Sequence, residues 1–118
     1  MACPQPLSLL IAHAGVGFDG VANGVGGKPR GRELEVAELL NFIKRKKIRN
    51  TVWVTADVHY AAAHHYAPER AAYKGFDPFW EFVAGPLNAG TFGPNPLDTT
   101  FGPKVEYLSI PKGLRPGR

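Results

Sequence analysis

This 118-residue chain contains almost no cysteine and no long hydrophobic run. The single cysteine, Cys3, excludes an internal disulfide, so it gives no indication of the redox compartment. The apolar run 7–12 is far too short to cross a bilayer. It also makes a poor signal peptide, because no basic residue precedes it and Pro4 and Pro6 interrupt its start. The sequence therefore predicts no transmembrane segment and no signal peptide, and it leaves the localisation open.

The length allows one small domain at most, and the 14 glycines and 11 prolines indicate many turns and long loops. The formal charge of +4 and the isoelectric point near 9.4 make the chain mildly basic. Such a surface could attract phosphate esters or nucleic acid. No nucleic-acid module or aromatic-lined groove accompanies the charges, so we interpret them as a solvated surface.

The clearest helix is predicted over residues 32–47, which carry apolar side chains at helical spacing. The predicted buried stripe consists of Leu34, Val36, Ala37, Leu39, Leu40 and Ile43. Acidic residues in the first turn and basic residues in the last complement the helix dipole. We expect this helix to cover a sheet, because a three-residue connection leads from it into a strand.

That strand is predicted over residues 51–55, a β-branched and aromatic run of the kind buried on both faces of a parallel sheet. Asp57 and His59 follow it and would project to the same side if the extended geometry persists. Together they offer oxygen and nitrogen donors for zinc, manganese or iron, and Asp57 alone could serve calcium. The alternative is that Asp57 caps a turn and His59 is an ordinary half-buried histidine.

Further strands are predicted over residues 81–84 and 105–110, and a short one over 7–12. The proline- and glycine-containing segment 85–103 should be an irregular loop at the same edge of the sheet. The aromatic segment 76–80 is expected to contribute to the core or a pocket wall.

Several stretches resemble the carboxyl-terminal part of the PhoD-like (alkaline phosphatase D) phosphatases, a branch of the calcineurin-like metallophosphoesterases. They are VTADVHY, AAAHHYAPERA and FDPFWEFVAGPLNAGTFGPNPLDTTFGPKV. The upstream stretch VANGVGGKPRGRELEVAELLNFIKRKKIRN is similar to the part of those proteins that leads into the same strand. The resemblance covers about residues 18–105. Where the family usually has Gly-Asp-Val-His, this chain has Ala56 before Asp57, so both candidate ligands remain.

The resemblance implies Asp57 and His59 as metal ligands, and phosphate esters as substrates. For His64 it implies one of three roles: a hydrogen-bonding partner of a metal ligand, a metal ligand itself, or a proton donor to the leaving oxygen. The alternative is a histidine that simply packs near the sheet edge. Asn88 and Thr91, on the loop near the family's active site, would contact the substrate. Asp19 and Asn23, on a glycine-rich loop, could reach a metal or phosphate, or could simply form turns.

The reaction implied is hydrolysis of a phosphate mono- or diester by a metal-activated water, with calcium, iron, zinc or manganese as the metal. The early Gly-Asp-x-x-Asp motif of calcineurin-like proteins does not precede the helix. We therefore expect a fragment that is inactive alone, with an exposed sheet edge available for self-association. The alternative is a non-catalytic metal-binding or interaction protein derived from the same fold.

The expected fold class is α/β, a partial metallophosphoesterase-type sandwich, that is a helix-covered sheet, truncated at both ends. The expected organisation has three parts. Residues 1–17 form an uncertain amino-terminal segment, residues 18–110 the partial phosphatase domain, and residues 111–118 a basic tail.

Overall fold

The computed structural model describes residues 1–13, 17–91 and 93–110, with the side chain of His13 left out; the predicted basic tail lies outside them. A hairpin of β1 (Ala12–His13) and β2 (Gly17–Phe18) comes first. It is followed by α1 (Glu33–Arg45), β3 (Val52–Thr55) and β4 (Ala61–Tyr66). A 3₁₀ turn (Pro68–Arg70), β5 (Phe79–Val83) and β6 (Pro103–Ser109) complete the order.

The four longer strands form one mixed sheet in the order β3-β5-β4-β6. β3 and β5 are parallel, while β4 runs antiparallel to both of its neighbours, β5 and β6. The mixed α/β class is confirmed. The described residues form this four-stranded sheet, one helix and a separate two-stranded hairpin, and the sandwich architecture stays a prediction.

α1 covers one face of this sheet, as its periodicity predicts. Ala37 and Leu40 pack into a core with Trp53, Tyr66 and Phe79 of the sheet. Tyr66 stacks on Phe79 with ring centroids 4.5 Å apart. A second cluster lies towards the carboxyl end of β3 and consists of Leu9, Val58, Tyr60, Ala62 and Val83.

The predicted buried stripe of α1 is wrong at its first position. Leu34 is 57% exposed, whereas the preceding Glu33 is buried. The Glu33 carboxylate accepts hydrogen bonds from the backbone N–H of Asn23 (3.0 Å) and of Arg30 (3.0 Å), and from the Asn23 side-chain amide (2.9 Å). These bonds tie the glycine-rich loop to the start of the helix, so burial of the carboxylate is compensated.

The prediction that the strand at 51–55 is buried on both faces is also wrong. On β3, Val52 is 39% exposed and Val54 is 49% exposed, while Trp53 and Thr55 are buried. The strand exists, but the described part of the chain covers only one of its faces. The predicted strand 7–12 is wrong over most of its length, since only Ala12 belongs to a strand and Leu7 and Leu9 reach the core from a loop.

No strand was predicted over the AAAHHY sequence that forms β4. Alanine has low intrinsic strand propensity. Here the central position between β5 and β6 supplies hydrogen-bonding partners on both sides, and neighbouring strands decide the conformation.

Candidate functional site

The loop after β3 carries Asp57 and His59 at the carboxyl end of that strand. Both have left-handed backbones, with φ of 83° and 57°, so the expected extended geometry does not persist beyond the strand. Val58 between them is buried in the second core cluster, and the two flanking side chains are exposed. Non-glycine residues in this conformation cost about 1 kcal/mol or more each and are common at functional sites.

The imidazole of His59 is oriented by the loop that follows β5. Its Nδ1 lies 3.1 Å from the backbone oxygen of Gly90. Because a carbonyl oxygen can only accept, Nδ1 carries the proton, and the lone pair of the neutral ring is on Nε2. This is the arrangement by which a backbone carbonyl orients a metal-binding histidine.

A shallow surface depression of about 370 Å³ lies beside His59. Its walls come from the loop between β3 and β4, the start of β4, the loop after β5 and the end of β6. They include His59, Tyr60, Ala61, Gly85, Thr91 and Ser109. Thr91, one of the two predicted substrate contacts, therefore lies at the depression. Asn88 is exposed on the same loop but does not line it.

Tyr60, which lines the depression, is hydrogen-bonded to the loop after β5. Its hydroxyl donates to the side-chain oxygen of Asn95 (3.1 Å) and accepts from the backbone N–H of Asn95 (3.0 Å). Burial raises the pKa of the phenol, so it stays protonated beyond a tyrosine's ordinary range. Tyr60 thus holds the 85–103 loop against the sheet as a neutral hydrogen-bonding group.

His64 lies away from the depression, in the middle of β4 on the face that α1 covers. Its side chain is 1% exposed, and Nδ1 donates to Oε2 of Glu81 at 3.3 Å. Its Nε2 has no hydrogen-bond partner among the described residues.

Glu81 is the centre of a buried polar network. One carboxylate oxygen accepts from the backbone N–H of Leu7 (3.0 Å) and the hydroxyl of Thr55 (2.7 Å). The other accepts from His64 and from the Tyr66 hydroxyl in a short hydrogen bond. Burial alone would raise the pKa of Glu81, but the hydrogen bonds from His64, Tyr66 and Thr55 outweigh it and hold that pKa below the ordinary range.

Sequence reasoning missed this role of Glu81, although a signal was present. In FWEFV, alternate residues share a face, so Glu81 stands on the same side as Phe79 and Val83. A carboxylate at an apolar position needs a buried partner. The histidine of β4 that lies directly opposite, His64, supplies it.

The glycine-rich loop is held by structural contacts. The side-chain oxygen of Asn23 accepts from the N–H of Val25 (2.9 Å), and its amide donates to Glu33. Asp19 is exposed, with one carboxylate oxygen 4.0 Å from the guanidinium of Arg32. Both residues contribute to the shape of the loop, which agrees with the turn interpretation.

Asp57 and His59 have the donor chemistry of a metal site, but not the number of donors. Within residues 1–13, 17–91 and 93–110, no group of three or more His, Cys, Asp or Glu side chains is arranged to hold a metal ion. Asp57 and His59 would therefore bind a metal only together with ligands from outside this set. The described part of the chain has no helix that is long and apolar enough to cross a membrane.

The fold and this strand-end loop define a mixed α/β protein with polar side chains at the carboxyl edge of its sheet, where such folds commonly bind ligands. The family model described as PhoD-like phosphatase matches residues 4–111. The chain belongs to the PhoD-like phosphatase family. Comparison with curated proteins and with solved structures gives no match.

Proposed function

We propose that this chain supplies part of the active site of a metal-dependent phosphatase that hydrolyses phosphate mono- or diesters, with Asp57 and His59 as metal ligands. The observation that carries the proposal is the hydrogen bond from Nδ1 of His59 to Gly90, which directs the lone pair to Nε2. The exposure of Asp57 beside it and the positive φ at both residues support the same assignment. A bound divalent or trivalent ion such as calcium, iron, zinc or manganese would supply a more acidic water and polarise the phosphoryl oxygens.

The chain's own residues have separate tasks in this proposal. Asp57 contributes a charged oxygen donor and His59 a neutral nitrogen donor. Thr91, at the depression beside His59, contacts the phosphate ester, and Asn88 on the same exposed loop acts as a second contact. Because the described residues provide only two ligands, we infer that the chain is inactive until further ligands join them.

His64 acts in this proposal as a positioning residue. Its ring is buried and its Nδ1 donates to Glu81, so it holds β4 against β5. A proton donor to the leaving oxygen would have to reach the surface. Holding β4 against β5, by contrast, requires no movement of the His64 side chain.

The test is metal binding measured by calorimetry with Mn²⁺, Zn²⁺, Ca²⁺ and Fe³⁺, beside hydrolysis of an aryl phosphate mono- and diester. Asp57→Ala and His59→Ala should each weaken binding by about tenfold or more. Asp77→Ala, which removes an exposed carboxylate elsewhere, is the matched control. Unchanged binding in Asp57→Ala would exclude it as a ligand. Phosphatase activity of the isolated chain would contradict the inferred inactivity but not the ligand assignment.

The interaction-protein alternative is favoured by a different observation. The sheet face opposite α1 exposes Val52 and Val54 of β3, Trp80 and Phe82 of β5, and Tyr107 of β6. Trp80 and Phe82 stack with centroids 5.9 Å apart. Exposed apolar clusters of this kind often mark interaction sites. Association with a protein partner that Phe82→Ser abolishes and that Asp57→Ala and His59→Ala leave unchanged would support this function over the first.

A further inference from the structure

In the described part of the chain, β6 is an edge strand of the sheet. Among the described residues it pairs only with β4, and residues 104–109 are all exposed. An edge strand of this kind presents backbone N–H and C=O groups that can pair with another strand. Val105 and Tyr107, 42% and 58% exposed, add apolar surface along it.

The opposite edge of the sheet is already occupied. The N-terminal amine of Met1 donates to the backbone oxygen of Val52 (2.6 Å), and the N–H of Cys3 donates to the backbone oxygen of Val54 (3.0 Å). The N–H of Val54 in turn donates to the oxygen of Met1 (2.8 Å). Residues 1–3 therefore pair with β3. Pairing of β6 with β6 uses the same strand in both copies, so it closes at two copies.

The charges of β6 are arranged symmetrically about one residue. Lys104 precedes Val105 and Glu106 follows it, and within one chain the two side chains form an ion pair of 2.9 Å. In an antiparallel pair of identical strands centred on Val105, Lys104 of each copy stands opposite Glu106 of the other. Opposite charges facing each other across an antiparallel pair stabilise it, and like charges destabilise it.

We propose that two copies of this chain associate by antiparallel pairing of their β6 strands about Val105. The partner is a second copy, and the inference goes beyond the phosphatase function. A register shift makes Glu106 an additional residue relative to β4, because His64 pairs with Val105 and Ala63 with Tyr107. A bulge limits how far a new strand can pair, so the association is short and weak, with the charge pairs setting its register.

Charge reversal tests the register. In Glu106→Lys two copies would bring four lysines together, and in Lys104→Glu they would bring four carboxylates together. Each variant alone should associate roughly tenfold or more weakly than the wild type, measured by sedimentation equilibrium over a wide range of protein concentration. Lys28→Glu, at an exposed position far from β6 in sequence, is the control for a change of net charge.

Mixing the two variants gives the decisive measurement. Both have lost the ion pair within the chain, yet in a mixed pair every residue at 104 or 106 faces an opposite charge. An equimolar mixture should therefore recover association close to that of the wild type, as should the double variant. Wild-type chains that stay monomeric throughout overturn the proposal. Association that is insensitive to both reversals but lost in Phe82→Ser overturns it too, because it would assign the contact to the sheet face.

Discussion

The buried Glu81 network makes a sharp prediction about stability. Glu81→Gln preserves the size of the side chain but replaces one acceptor oxygen with an amide group that can only donate. The N–H of Leu7 cannot reverse its role, so the remaining oxygen must face Leu7 and Thr55. The amide then faces the Tyr66 hydroxyl and Nδ1 of His64, whose proton must move to the unpartnered Nε2.

The cost follows from what is lost. Hydrogen bonds to a charged group contribute about 1.5–3 kcal/mol each, and a hydroxyl that can reverse recovers part of this. We therefore expect Glu81→Gln to lower the free energy of unfolding by about 1–3 kcal/mol. Glu81→Leu removes the carboxylate from all of its partners and should cost about 3–5 kcal/mol. The total free energy of unfolding of a native protein is only about 5–15 kcal/mol.

The assay is urea unfolding followed by tryptophan fluorescence, with an unchanged denaturant dependence as the check on two-state behaviour. Glu38→Gln, on the exposed side of α1, should stay within about 0.5 kcal/mol of the wild type. If Glu81→Gln and Glu81→Leu also stay within that range, the network does not stabilise the fold and our reasoning is refuted.

The same network has a pH dependence of known sign. Because the pKa of Glu81 is lowered on folding, its stabilisation is fully present above a glutamate's ordinary pKa of about 4.3. It is lost as the pH falls through the lower folded-state pKa. The stability difference between wild type and Glu81→Gln should therefore shrink in acid. A difference that grows below that pH would contradict the direction of the shift.

Two further substitutions test the loops around the core. Gly102 has φ of +60°, and a Cβ there would lie 2.6 Å from the backbone nitrogen of Ala71. Gly102→Ala should therefore lower the free energy of unfolding by more than about 2 kcal/mol in the same urea assay. An unchanged unfolding midpoint would mean that the loop adopts another conformation. Asp98 accepts from the N–H groups of Gly24 (2.9 Å) and Thr100 (2.8 Å) through different oxygens, so Asp98→Asn should cost about 1–3 kcal/mol and increase hydrogen exchange at Gly24. Equal exchange in both proteins would refute that anchoring role.

Much of the local structure could be predicted from the sequence. The helix was found to within two residues, because apolar spacing and charged ends are local signals. The predicted strands at 51–55, 81–84 and 105–110 correspond to β3, β5 and β6, with boundaries that differ by one or two residues. Prolines and glycines correctly marked the loop between β5 and β6. The family assignment also came from the sequence, through motifs that the family model confirms over residues 4–111.

The errors share one cause, which is that contacts distant in sequence outweighed local preference. β4 is a strand because it lies between two others, although its alanines do not favour one. Asp57 and His59 leave the extended conformation, and Val58 between them packs into the second core cluster. Their roles as ligands and those of Asn88 and Thr91 stay predictions.

The sequence by itself therefore determined which segments form the helix and three of the four strands of the main sheet, and which donor groups follow β3. Only the tertiary structure decided that Glu81 meets His64 across two strands, that Glu33 is buried and Leu34 exposed, and which strand forms an edge of the sheet among the described residues. The physical reason is that periodicity and turn chemistry act over a few residues. Burial of a charge, by contrast, depends on whether partners from elsewhere in the chain arrive to satisfy it.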